Sequence, residues 1–131
     1  MNINEFKNCE FFDWDLNDFT NEQPHHFVLK EKTYNATTWV ELIDCLCEIL
    51  EKEDQGLMNS FLEDEKTART RIPYISDNPE DIHFKKLIKK SGLWLNYKID
   101  APRSAKLIRY LLDKYKIDER HFKLFLQIKG E

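Results

Sequence analysis

Apolar positions recur along this chain at two spacings, and each spacing predicts a different element. Over residues 39–50, Trp39, Leu42, Ile43, Leu46, Ile49 and Leu50 fall three and four apart, as on a helix with one buried face. Glu41, Asp44, Glu48 and Glu51 take the other side. Thr38, with Glu41 three residues on, is a capping box that starts the helix. Gly56 is expected to end the run, with a short second helix over residues 57–62 and a polar loop over 63–70. Leu107, Ile108, Leu111, Leu112 and Tyr115 form a second helical stripe, opened by Asp100 and Pro102. Phe122, Leu124, Leu126 and Ile128 alternate strictly, which predicts a strand with one buried face.

Shorter runs fill the rest. Residues 26–30 and 33–36 flank Glu31-Lys32 and read as a hairpin without the usual glycine. Residues 71–76 contain Pro73, which cannot donate to a ladder, so they read as an edge strand. Ser91-Gly92 separates residues 86–90 from 93–99 and signals another hairpin. The expected order is β-β-α-(α)-β-β-β-α-β. That is an α+β fold with a single antiparallel sheet and two main helices on one face.

Residues 1–24 fit no clean period. They are acidic with interleaved rings, so they are expected to be an N-terminal arm preceding a single α+β domain over 25–131. The aromatics can pack on that domain. Alternatively Phe11, Phe12 and Trp14 anchor a protein partner while Asp13 and Asp15 steer it.

Composition narrows the classes. A chain of 131 residues, 41% hydrophobic and 13% aromatic, has the material for a core and is neither a disordered tail nor a collagen-like repeat. Only 3 glycines leave no Gly-rich phosphate loop. Three cysteines cannot all pair, which favours a reducing compartment. The first residues lack a basic and then apolar leader, and no segment is apolar enough to span a membrane, so the expected location is the cytoplasm. The net charge of −4 hides a split: residues 1–65 carry sixteen acids and four bases, residues 66–131 eight acids and sixteen bases. Either the halves neutralise each other or they present two faces to different partners.

The chain carries no nucleophile, metalloprotease or nucleotide-loop motif. Cys45 and Cys47 point about 200° apart on a helix and read as half-buried hydrophobes. His25 and His26 alternate faces of a strand and supply one metal ligand at most; with His83, His121 and Cys9 they make no supported zinc site. Asp64-Glu65-Lys66 places a carboxylate before a lysine, as metal-dependent nucleases do, but in a predicted loop. No enzyme activity, metal or cofactor is expected. The stronger constellation is basic. Lys89, Lys90, Arg103, Lys106 and Arg109 gather around one hairpin and one helix start, and Tyr74, Trp94 and Tyr97 lie nearby to stack on bases.

Several of these segments also recur in order: residues 38–42 after a hairpin, 71–76, 92–97, 104–112 and Ile117-Asp118 before a last strand. Over about residues 25–129 this resembles a small α+β domain of bacteria and phages, found alone or at the C-terminus of restriction-type and other defence proteins. The resemblance implies an accessory module in nucleic-acid-directed defence and carries over no functional residue. The expected function is therefore a non-enzymatic binding module whose basic C-terminal half contacts nucleic acid or a nucleoprotein. The alternative is a phage-encoded inhibitor, of anti-restriction or anti-CRISPR type, whose acidic N-terminal half binds a nuclease. Homodimerisation through an edge strand is compatible with both.

Overall fold

The alternating run near the C-terminus becomes the strand on which a sheet is assembled. The computed structural model describes residues 5–67, 74–82, 85–87, 91–96 and 98–128. Its strands are β1 (Phe6–Cys9), β2 (Pro24–Leu29), β3 (Lys32–Asn35), β4 (Ile75–Ser76), β5 (Lys85–Leu87), β6 (Trp94–Asn96) and β7 (Phe122–Gln127). Its helices are α1 (Trp39–Glu53), α2 (Gln55–Thr67) and α3 (Ala101–Lys114), with 3-10 turns at Leu16–Phe19 and Pro79–Asp81.

The fold is α+β, but the expected single sheet is two sheets. One has the order β1-β7-β2-β3 and the other β4-β6-β5, and all pairings are antiparallel. The expected order also lacked β1. Its sequence Phe6-Lys7-Asn8-Cys9 does not alternate, because Lys7 sits at an inward position where its ammonium bonds Glu22 at 3.0 Å. The chain divides into two compact units, residues 1–42 with 100–131, and residues 43–99.

In the first unit the register puts Cys9, Phe27, Leu29, Phe122, Leu124 and Leu126 on one sheet face, all buried. Rings from the N-terminal segment extend this core. Phe11 packs on Phe19 and Phe122, and Phe19 on Trp39, whose indole N–H donates to the Glu22 carbonyl at 2.9 Å. The β2–β3 connection is a two-residue turn with Lys30 and Glu31 at φ 50° and 71°. These are the angles of a type I′ turn, ordinarily taken by Asn and Gly. Thr38 caps α1 by accepting from the Glu41 amide at 3.1 Å, and the Glu41 carboxylate accepts from the Thr37 amide at 3.0 Å. Asp100 caps α3, accepting from the Arg103 amide at 3.0 Å.

In the second unit Gly56 does not terminate a helix. Asp54 is the break: it closes α1 through Leu50 and caps α2 through the Leu57 amide, and Gly56 lies inside α2. The second helix consequently runs through most of the expected polar loop. The rest of that loop, residues 68–70, lies outside the described residues, as do 71–73 of the expected edge strand. Residues 42–47 of α1 are buried without interruption, so Asp44 is enclosed rather than solvent-facing, and it accepts from the Ser91 amide at 2.9 Å. Cys45 and Cys47 are both buried for the same reason. Gly92, at φ 74°, provides the left-handed residue of the β5–β6 turn.

Candidate binding surfaces

The N-terminal segment is held by one arginine. Arg109, on α3, donates through the same guanidinium nitrogen to the carbonyls of Phe11 and Trp14. Its carbon lies 5.3 Å from the Phe11 ring centre and 5.6 Å from that of Phe19. Burial lowers its pKa, and the carboxylates of Asp15 and Asp13 oppose that shift. Two carbonyls and two ring faces replace part of the hydration of this half-buried cation, while its Nε is buried without a hydrogen-bond partner among the described residues. Phe11 is buried at 3% exposure, and Phe12 and Trp14 are partly covered. Glu10, Asp13, Asp15 and Asp18 are exposed around them. Of the residues expected to dock a partner, the structure therefore turns Phe11 inward and leaves Asp13 and Asp15 outward on a fixed segment. A recess of about 290 Å³ opens beside it, its lining including Asn8, Cys9, Phe11, Phe122, Glu10, Asp13, Glu119 and Lys123.

The basic constellation is not assembled as one described patch. Lys89 and Lys90 lie outside the described residues, as do His83 and Tyr97. Arg103 is exposed and paired at 3.0 Å with Asp100, the cap of its own helix. Lys106 lies over the Tyr110 ring at 5.7 Å. Arg109 is engaged inside the first unit, as above. Lys66, from the nuclease-like triplet, bonds neither acid beside it. Its ammonium reaches Asp77 at 3.0 Å and Asp81 at 3.6 Å, tying α2 to the segment after β4. The bond to Asp77 raises its pKa.

Folding also redistributes charge. The first unit has thirteen acids and eleven bases, the second eleven acids and nine bases, so each nets −2. The steep difference between the halves of the chain disappears because each unit draws on both.

Sequence reasoning missed a second surface. On the face of the four-stranded sheet opposite its core, the register aligns Phe6, Asn8, His26, Val28, Thr33, Asn35, Lys123, Phe125 and Gln127. Alternation predicts His25 and His26 on opposite faces. Instead the register shifts between Pro24 and His26, a bulge that makes His25 the extra residue. Both imidazoles then meet, with their Nδ1 atoms 2.7 Å apart, one donating and one accepting. His26 stacks on Phe125 at 4.5 Å and 9°, and Phe6 meets both rings edge-on at 4.7 and 5.6 Å. Burial and the neighbouring His25 lower the pKa of His26. The signal available in the sequence was the doublet itself, two aromatic-like residues beside Pro24 where a strand begins.

Among the described residues no helix is long and apolar enough to cross a membrane, and no three His, Cys, Asp or Glu side chains are grouped to hold a metal. No family model matches the chain, and neither the curated proteins nor the solved structures contain a match.

Proposed function

We propose that this chain is a non-enzymatic, cytoplasmic binding module. In this reading it docks on a nucleic-acid-handling protein of a bacterial or phage defence system through its acidic N-terminal segment. The observation that carries the reading is the way that segment is held. Glu10, Asp13, Asp15 and Asp18 are exposed, while Phe11, Phe19 and the two carbonyls bound by Arg109 fix the backbone beneath them. Fixed carboxylates bind an electropositive groove without first losing the conformational freedom of a loose arm. The groove of a nuclease, built for phosphates, is the natural counterpart.

The basic reading keeps a narrower support. Arg103 and Lys106 lie three residues apart on α3, and Arg103 is exposed.

The test is a cleavage-inhibition and calorimetric binding assay against restriction-type and RNA-guided nucleases. Wild-type protein is expected to bind or inhibit at low salt, and D13K/D15K to lose that activity. Inhibition that survives the double reversal, or an absence of binding to every nuclease, overturns the reading.

A further inference from the structure

The outer face of the four-stranded sheet has a chemistry unlike the rest of this chain. One residue in three overall is charged, 34%, with 24 acids. Yet the outward positions of β1, β7, β2 and β3 hold no carboxylate. They hold two phenylalanines, a histidine joined by its bulged neighbour, the amides Asn8, Asn35 and Gln127, the hydroxyl of Thr33, Val28, and one cation, Lys123. Phe6 is 47% exposed, a large apolar ring left in water at the end of the aromatic stack. Part of the ring packs on His25, His26 and Phe125, and the rest is apolar surface whose burial would be favourable.

We infer that this face binds single-stranded nucleic acid, with unpaired bases stacked on Phe6, Phe125 and His26. Three features favour that occupant. Rings standing on an antiparallel sheet offer π-surface that an unpaired base can use, here the exposed Phe6 and whatever of His26 and Phe125 their mutual stack leaves uncovered, whereas paired bases in a duplex have no free face. The outward register positions hold no carboxylate, which lessens the repulsion that a polyanion meets elsewhere on an acidic protein, although Glu10, Asp13 and Glu119 share a recess with Lys123. Lys123 lies two positions along β7 from Phe125, about 7 Å at strand rise, so a base over the ring brings its phosphate to the ammonium. Asn8 and Asn35 flank the rings on the neighbouring strands and can donate to or accept from base edges. The Gln127 amide donates to the carbonyls of Pro24 and Thr37, so it braces the edge of the face rather than contacting the ligand. Asn8 and Lys123 also line the recess beside the acidic segment, with Glu10 and Asp13, but neither inference needs the other.

The experiment is fluorescence anisotropy of the intact chain with labelled oligothymidine, oligoadenosine and a hairpin duplex at low salt. Both single strands are expected to bind, and the duplex at least about tenfold more weakly. Phe6→Ala, at an exposed position of an edge strand, should weaken the strands about tenfold, the order expected for one stacked base. Phe125→Ala should do the same and Phe125→Trp should restore binding, which a loss of folding would not allow. Lys123→Ala should reduce the slope of log affinity against log salt by about 0.7, the share of one phosphate on a single strand. D13K/D15K should leave strand binding intact or tighten it. Equal binding of duplex and strands, no strand binding at low salt, or loss through R103A/K106A with F6A unaffected would overturn the inference. The last result would place the contact on the basic helix start instead.

Discussion

Arg109 and His26 show how one residue's role depends on groups that sequence spacing does not bring together. By spacing, Arg109 belongs with Arg103 and Lys106 on a cationic helix face. In the structure it serves two carbonyls almost a hundred residues away in the chain. No local pattern announces that, because its partners are main-chain oxygens in a segment without periodicity. His26 meets His25 against expectation for a different reason: alternation assumes an unbroken register, and the bulge at His25 breaks it. Its environment makes a testable statement about pH. Burial and His25 hold the His26 pKa below its ordinary 6.5 in the folded state. Unfolded chains take up the proton near that value and folded ones do not, so stability is complete above it and falls as pH drops toward the lowered pKa. Thermal melts from about pH 7.5 to about pH 5.5 should show a declining midpoint, and His26→Gln should flatten the decline. A midpoint that rises on acidification would contradict the assignment.

At the scale of elements, legibility followed the clarity of the period. α1, α3 and β7 were readable because each carries a periodic apolar stripe over at least one full repeat, although residues 42–47 of α1 are buried all round, and Thr38 and Asp100 cap where their side chains suggest. α2 was truncated in reading because glycine was weighed as a breaker, while the aspartate two residues before it does the capping. β1 was missed because one of its inward positions holds a lysine satisfied by a distant glutamate. The β2–β3 turn was placed but for the wrong residues, 31–32 instead of Lys30-Glu31. Two side chains at positive φ cost about 1–2 kcal/mol each relative to a glycine-compatible turn. Lys30→Asn with Glu31→Gly should therefore stabilise the protein by about 1–2 kcal/mol and raise its melting midpoint by several degrees. The Lys30 amide, which donates to the His121 carbonyl at 2.8 Å, is retained in the variant. No gain in calorimetry would mean that these side chains recover the cost through contacts of their own.

For the whole molecule, the cysteines act as reporters of the two units. Cys9 belongs to the first unit, Cys45 and Cys47 to the second, and all three are buried. Burial, with Glu10 and Glu22 nearby, pushes the Cys9 thiol up to about 12, and burial raises Cys47 as well. Neither is a reactive thiolate at neutral pH, so alkylation must wait for opening. In native buffer iodoacetamide should label none of them rapidly. Across a urea series, peptide mass spectrometry should find Cys9 and the Cys45/Cys47 pair released at different concentrations. Coincident release would show one cooperative transition. The charge split belongs to this scale too. It was plain in the sequence, but its meaning was not, because only the topology shows that each unit combines acids from the first half with bases from the second.

The central position of β7 in its sheet has a consequence for biosynthesis. β1, β2 and β3 are made before β7, yet among the described residues β1 pairs only with β7, and β2 has β7 along its other edge. Throughout translation of residues 43–99 the first unit therefore waits with two unsealed strand edges and Phe6, Phe11, Phe19 and Phe27 uncovered. The unit of residues 43–99, made in one continuous stretch, can fold first, and the other closes only when β7 slides between β1 and β2. A nascent chain of this design keeps those edges open to misassociation until residues 122–127 have been made.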